Sequence, residues 1–368
     1  MRFSSEKEYL AKSFSIVARA IPSKSSGPLS RTMIRMILLG NSLNISATDI
    51  DTTIETNIEV SGIKDGTSVI PARLFVDIFK SMPEGKVTVT VEDELGVIEG
   101  GRARFETPTY PVEAYPPISP LEGEELSLPA NEFSSAVSQV TKAASNDEIR
   151  PVLTGVYVTN HNDRLRLVAT DSYRLSIRDV AESKSFSEAN SVLVPARALE
   201  EVKVINDSLG SNIDTIYVRL TEGNASFRIG ETTLTTQLIN DKFPRYEQLI
   251  PKDYLQEITV KKSSLIEAFK RMRLLVKDTM SSVRLLADDG MVELSVVTPE
   301  IGNAKEQIDA SVTGESTQLS FNPNYFIEGV EAAEGDEVLI RIAGKGQPTL
   351  IHSTQNEDYK YLLMPVRV

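Results

Sequence analysis

The chain has 368 residues, 40% of them hydrophobic, a length that exceeds one ordinary core and suits two or three domains. It contains no cysteine, which excludes disulfides, thiolate metal sites and a cysteine nucleophile and fits a reducing compartment. Its 39 Lys and Arg against 52 Asp and Glu give a formal charge of −13, a balance that keeps a protein soluble and on its face argues against direct nucleic-acid binding.

The elements follow in chain order. Met1 to Tyr9 is mixed polar without a signal-type apolar stretch, and no apolar run is long enough to span a bilayer, so a cytoplasmic, membrane-free protein is expected. Leu10, Phe14, Val17 and Ile21 then step by four, three and four, one face of a helix. Met36 to Leu39 reads as strand, and Ala47-Thr48-Asp49 ends an apolar strand. Pro71-Ala72-Arg73 follows a β-branched run and opens a second helix, Arg73 to Met82. Lys86 to Val91 alternates as a strand, and Asp93-Glu94-Leu95-Gly96 marks a hairpin turn. Pro116-Pro117-Ile118-Ser119-Pro120 begins a polar linker that continues through Glu125.

The same cycle then starts again. Phe133, Val137, Val140 and Ala144 repeat the helical steps, and Val152 to Val158 reads as strand. Ala169-Thr170-Asp171 and Pro195-Ala196-Arg197 return in the same order, each roughly 120 residues after its first copy. A helix over Arg197 to Ile205, a strand over Ile216 to Leu220 and a turn at Glu222-Gly223-Asn224 complete the copy, and Pro251-Lys252-Asp253 marks a second boundary. A third copy carries the stripe Leu265, Phe269, Met272 and Val276, a strand over Val283 to Ala287, a helix over Asn324 to Ala333 and a strand over Val338 to Ile342. It diverges most, with Thr298-Pro299-Glu300 where the others have Thr-Asp. The expected fold is therefore α+β, three similar domains over residues 1–121, 122–254 and 255–368, with helices on one face of antiparallel sheets. The alternative is a tandem array of the cell-surface kind, against which the missing cysteines and the polar N-terminus count.

The cations gather on the polar faces of the helices. The first helix offers Lys12 and Arg19 with Lys24 just beyond, and the fifth offers Lys270, Arg271, Arg273 and Lys277. Lys142 belongs to the third, Arg73 and Lys80 to the second, and Arg197 and Lys203 to the fourth. These faces are short of aromatic residues, which suits phosphates better than stacked bases. Ordinary solvated helices also carry cations, but five of six doing so in an acidic chain points to a shared cationic surface. The sixth departs, with Glu328 and Glu331.

Signals for catalysis are weak. His161 and His352 fall in different copies, without the spacing of a triad or of metal ligands. The repeated Thr-Asp reads as a turn cap rather than an acid–base pair. Ala343-Gly344-Lys345-Gly346 lacks the full phosphate-loop spacing and reads as a hairpin turn. A β-rich carbohydrate-active enzyme with two carboxylates in a cleft is the alternative class, but no pair stands out.

With these motifs in hand, the chain resembles the bacterial DNA polymerase III β subunit family, the sliding clamps, along essentially its whole length. The resemblance is carried by the threefold repeat with Val168-Ala169-Thr170-Asp171-Ser172-Tyr173-Arg174-Leu175, Phe243-Pro244-Arg245-Tyr246 and Tyr361-Leu362-Leu363-Met364-Pro365-Val366-Arg367. It implies two chains head to tail in a closed six-domain ring, with helices lining the hole and sheets outside. Twelve helices at ~10 Å each trace a circle of roughly 120 Å, ~38 Å across and nearer ~28 Å clear, which admits a duplex. It further implies a clamp that encircles duplex DNA without sequence preference and performs no catalysis. No cofactor and no metal are implied. Replicative polymerase and clamp loader would dock through short linear motifs.

The resemblance places the dimer interface at Phe105 on one side and Leu274 and Leu275 on the other, with ordinary core residues as the lesser alternative. It places the partner groove at Leu153, Thr170, Ser172, Tyr173, Arg174, Leu175, Pro244, Leu249, Tyr325, Pro348, Leu362, Met364 and Val366. A buried C-terminal strand is the alternative for Leu362 and Met364. Ser172 stands where glycine is common in the family, Gln248 where a basic residue sits, and Tyr173 replaces a smaller ring, which implies a differently shaped rim.

Overall fold

A computed structural model of the chain describes residues 1–21, 32–118, 121–123, 125–182, 191–210, 213–276, 282–299 and 301–366. Among the described residues there are six α-helices: α1 (Lys7–Val17), α2 (Ala72–Ser81), α3 (Ala130–Val140), α4 (Ala196–Leu209), α5 (Lys262–Arg273) and α6 (Pro323–Ala332). These are the six helices expected, three from apolar stripes and three as the second helix of each copy. The strands are antiparallel, and the chain divides into two compact units.

Unit 1 comprises Met1–Asn131 and Ala198–Leu238. Its smaller sheet runs Ser61–Lys64, Arg2–Glu6, Lys86–Glu92, Leu95–Gly100, Ala103–Pro108. Its larger sheet has eight strands in the order Glu125–Pro129, Thr215–Leu220, Asn224–Ile229, Thr232–Gln237, Thr52–Glu59, Ser42–Thr48, Met33–Leu39, Gly66–Pro71. Helices α1 and α2 pack together through Phe14 and Phe79, whose ring centroids lie 4.8 Å apart. The stripe Leu10, Phe14 and Val17 is wholly buried, as its spacing requires. Ile21 lies past the helix, because the chain tightens into a 3-10 turn over Ala18–Ala20 and the Ile21 amide donates to the Ala18 carbonyl.

Unit 2 comprises Glu132–Arg197 and Ile239–Val368. A single twelve-stranded order runs through it: Val192–Pro195, Gly155–His161, Arg164–Thr170, Arg174–Glu182, Tyr359–Leu363, Thr349–Ser353, Glu337–Ile342, Gln256–Lys261, Gly302–Gly314, Met291–Thr298, Val283–Asp288, Thr317–Phe321. Phe269 of α5 stacks on Phe326 of α6 at 4.0 Å in the core. Asn322 caps α6 by accepting from the amides of Asn324 and Tyr325. The strand expected from Val152 starts at Gly155, because Pro151 opens a short 3-10 turn over Pro151–Thr154.

The hairpin turns fall where composition put them. Asp93 and Glu94 both take positive φ, 47° and 60°, between Lys86–Glu92 and Leu95–Gly100. The segment Ala343-Gly344-Lys345-Gly346 connects two paired strands, Glu337–Ile342 and Thr349–Ser353.

Candidate functional site

The repeated Thr-Asp builds one turn twice. In unit 2 the Thr170 hydroxyl donates to the Arg174 carbonyl (2.6 Å) and accepts from the Ser172 amide (3.2 Å), while Asp171 Oδ1 accepts from the amides of Tyr173 (2.9 Å) and Arg174 (3.0 Å). In unit 1 the Thr48 hydroxyl donates to the Thr52 carbonyl (3.2 Å) and accepts from the Ile50 amide (3.0 Å), and Asp49 Oδ1 accepts from the Thr52 amide (2.7 Å). The residue after each aspartate is forced to positive φ, 85° at Ile50 and 80° at Ser172. The aspartates are turn locks, each with its Oδ1 committed to backbone amides.

From the second turn a row of side chains crosses the sheet on one face. Register pairs Thr170 with Leu175, Leu175 with Leu362, Leu362 with Leu350, and Leu350 with Arg341. The three leucines are buried with Val168, Ile177 and Tyr246, against which Tyr157 and Phe243 stack on each other at 5.1 Å. The result is an apolar floor. Its rim is open: Tyr173 is 62% exposed and Met364 39%. The Met364 amide donates to the Tyr173 carbonyl (2.9 Å), which joins the C-terminal strand to the turn.

Arg174 anchors that rim. Its guanidinium sits 4.1 Å over the Tyr325 ring, donates to Asp171 (3.0 Å) and to Glu328, and reaches the Tyr361 hydroxyl (3.4 Å). Burial works against the charge, yet the oxygens of Tyr361 and Glu328 hold its pKa above the usual arginine value. Tyr361 in turn donates to the Tyr325 carbonyl (2.9 Å), and Tyr325 lies 6.5 Å from the Tyr173 ring. Sequence reasoning missed Glu328 in this role, having it only as acidity on the sixth helix. It also missed Arg150, whose Nη1 donates to the Ser172 hydroxyl (3.1 Å).

The expected groove residues therefore divide. Thr170, Ser172, Tyr173, Arg174, Leu175, Tyr325, Leu362 and Met364 come together as floor and rim. Leu153 is buried in the turn ahead of Gly155–His161, and Pro348 directly precedes Thr349, which pairs with Leu363. Pro244 and Leu249 are exposed on either side of Tyr246, which packs into the floor. Val366 donates its amide to the Ser320 carbonyl (2.7 Å) and lines a separate cavity with Pro365, Arg284 and Lys345.

The cationic residues also divide. Lys12, Lys80, Lys142 and Arg197 are exposed and have no carboxylate partner among the described residues, and Arg73 is exposed as well. Arg19 pairs with Glu201, Lys203 with Asp207 (2.5 Å), Arg271 with Glu306 (2.5 Å), and Lys270 with Glu331 (3.1 Å). Counting cations alone had overlooked these carboxylates, although exposed pairs of this kind are weak and exchangeable. Lys24 and Lys277 lie outside the described residues, as do Ser119, Pro120 and Arg367. Of the interface residues, Phe105 is 38% exposed on an edge strand and Leu274 is 81% exposed beyond α5. Leu275 instead packs partly against the unit 2 core, as the core alternative has it. Among the described residues no helix is long and apolar enough to cross a membrane.

Three successive segments match descriptions of one family: DNA polymerase III beta subunit, N-terminal domain over residues 1–119, central domain over 127–245 and C-terminal domain over 247–367. The chain is 30% identical to a beta sliding clamp homolog of Streptomyces muensis, covering 100% of this chain and 99% of that one. Its fold is similar to the DNA polymerase sliding clamp of Bacillus subtilis, with TM-score 0.93 and 28% identity over 100% and 99% of the two chains. It is similar, too, to a sliding clamp of Bartonella birtlesii solved bound to griselimycin, with TM-score 0.94 and 27% identity over the whole of both chains.

Proposed function

The chain belongs to the DNA polymerase III beta subunit family, the non-catalytic sliding clamps, and from that premise we propose that two copies close head to tail around duplex DNA and tether the polymerase. The three domains take residues 1–121, 122–254 and 255–368, parted by the irregular segments around Pro116–Pro117 and Pro251–Asp253.

The observation that carries this reading is a repeated sheet junction. Thr232–Gln237 joins Thr52–Glu59 with Leu234 opposite Ile54, and Tyr359–Leu363 joins Arg174–Glu182 with Tyr361 opposite Ser176. The two registers coincide when the Thr-Asp turns are superposed. A third pair of edges is left over. Ala103–Pro108 has a neighbour on one side only, and residues 302–309 pair with Met291–Thr298 but are open on the other side among the described residues. Carried through the equivalent core-facing pairs, Ala47 with Ile54, Ala169 with Ser176 and Val296 with Ala304, the same rule sets Phe105 opposite Ala304 of a second copy. Leu234 and Tyr361, the counterparts of Phe105, are fully buried where their junctions are made, whereas Phe105 is 38% exposed. Two such contacts close the dimer, with Leu274 beside the seam.

A ring needs little affinity for what it encloses. Exposed Lys12, Arg73, Lys80, Lys142 and Arg197 meet phosphates without reading sequence, and Arg19, Lys203 and Arg271 exchange a carboxylate for a phosphate as the duplex slides. The leucine floor in unit 2, rimmed by Tyr173 and Met364, takes short apolar motifs of polymerase and clamp loader and raises their effective concentration near the primer end.

The test is retention. Loaded onto a nicked circle the protein stays bound, and linearising the circle releases it; equal loss from both forms overturns encirclement. Because the chain has no cysteine, Phe105→Cys combined with Ala304→Cys tests the seam cleanly. Oxidation links the copies into a covalent dimer, and a chain that stays monomeric on denaturing gels rejects the register.

A further inference from the structure

The row that floors the unit 2 groove has a counterpart in unit 1. Register pairs Thr48 with Thr53, Thr53 with Thr235, Thr235 with Ser226, and Ser226 with Arg219. Position for position, each leucine of the unit 2 row is replaced by a hydroxyl residue. In front of the row lies a cavity of about 420 Å³, bounded by Ile50 of the Thr-Asp turn and by Pro116, Ile118 and Leu121. Pro116 and Leu121 stand where Pro244 and Leu249 stand in the second copy, so the cavity has the place of a groove and a different lining.

Three features give the lining a chemical preference. Ser226 is 6% exposed and lines the cavity, and its hydroxyl has no hydrogen-bond partner among the described residues. Glu55, the next residue outward from Thr53 on the same face, is half-buried, and its carboxylate has no donor among the described residues. Burial raises the Glu55 pKa more than nearby Arg35 lowers it, the mark of a carboxylate short of a partner. The one cation in the lining, Arg219, is already held by Glu125 (2.9 Å) and the Leu121 carbonyl (3.4 Å). Asp51 adds a further carboxylate at the exposed edge.

We propose that this cavity is a second peptide-docking groove that takes a basic segment, with a guanidinium or ammonium group on Glu55 and polar neighbours on the hydroxyls of Thr53, Thr235 and Ser226. An apolar motif is disfavoured here because it would bury those hydroxyls and the carboxylate without partners. A basic side chain supplies the donors that Glu55 and Ser226 lack. The site is independent of DNA encirclement and of the leucine-floored groove.

Full-length protein labelled at isoleucine δ1 and methionine ε methyls is titrated with N-acetyl-arginine amide and, in parallel, with N-acetyl-norleucine amide. The Ile50 and Ile118 methyls move with the arginine probe and far less with norleucine. Glu55→Gln weakens the arginine response roughly tenfold while the other methyl signals keep their positions. Ile50 and Ile118 signals that ignore the arginine probe, respond equally to both probes, or respond undiminished in Glu55→Gln overturn the proposal. A short leucine- and phenylalanine-bearing peptide, followed at the Met364 methyl, reads the other groove in the same samples. Movement of Met364 alone with that peptide, beside movement of Ile50 alone with arginine, supports the division between the two.

Discussion

Around Thr48 and Asp49 the outward row of the sheet runs Thr53, Thr235, Ser226, Arg219; around Thr170 and Asp171 it runs Leu175, Leu362, Leu350, Arg341. The backbones agree in turn geometry, in register and in the arginine that ends each row. The side chains between disagree completely. Positions facing the core have little freedom, since a lost methylene is felt at once in a close-packed interior. Outward positions are bound only by what docks on them, so one frame carries two linings. The turn itself is also used twice. Thr52 follows the first as an ordinary strand residue, whereas Arg174 in the equivalent place ties the second to α6 through Glu328 and Tyr325.

The largest effect is expected from erasing the difference. Leu175→Thr with Leu362→Thr gives unit 2 two of the three hydroxyl residues of the unit 1 floor. Binding of a leucine- and phenylalanine-bearing peptide, read by fluorescence anisotropy, falls by roughly a hundredfold or more, because the central desolvated contacts of such a groove carry most of its energy. Stability also falls, by about 2–4 kcal/mol, from the lost burial. Circular dichroism shows whether the fold is kept. Unchanged peptide affinity in a folded variant breaks the link between floor and function.

Much of this frame was legible in the sequence. The 3.6-residue stripes gave the first helix of each copy, and two tripeptides in register gave the repeat and with it the place of the second helices, because both follow from local spacing. The Thr-Asp turn was legible for the same reason, since Asp acts on amides two and three residues away. What stayed hidden depends on distant partners. Glu328 meets Arg174 across a separation of 154 residues, and Glu201 meets Arg19 across 182. No periodicity encodes such pairs, so the cations looked freer and Glu328 more idle than they are. The positive φ at Ile50 and Ser172 was hidden too, because neither residue is the glycine that usually signals it.

A smaller effect separates the rows by pH. Glu55 sits where the second copy has Ile177, which cannot ionise. Burial raises the Glu55 pKa in the folded state, so the fold favours the protonated acid and loses stability as pH rises through that raised value. Glu55→Gln carries no charge at any pH. It is expected to raise the urea midpoint at neutral pH, with the gain fading as pH falls below the ordinary glutamate range. A gain that is equal at both ends of the range places the effect in packing and removes the carboxylate from the account. Retention of a destabilising carboxylate at an outward position is what a cation-binding lining requires.

The smallest effect is at the turns themselves. Ile50 and Ser172 hold nearly the same φ, but a β-branched side chain tolerates the left-handed region worse than serine does. Ser172 also accepts the Arg150 hydrogen bond, which glycine would lose, whereas Ile50 is 52% exposed and has only apolar contacts to give up. Relief of strain then exceeds the added entropy of the unfolded chain at Ile50 and is cancelled at Ser172. Ile50→Gly is expected to stabilise unit 1 by about 0.5–1 kcal/mol, with Ser172→Gly near zero, both read from urea denaturation. The reverse order would mean that the Ile50 side chain is worth more to the cavity wall than its backbone strain costs. The first turn would then be shaped for its lining as much as the second is for Arg174.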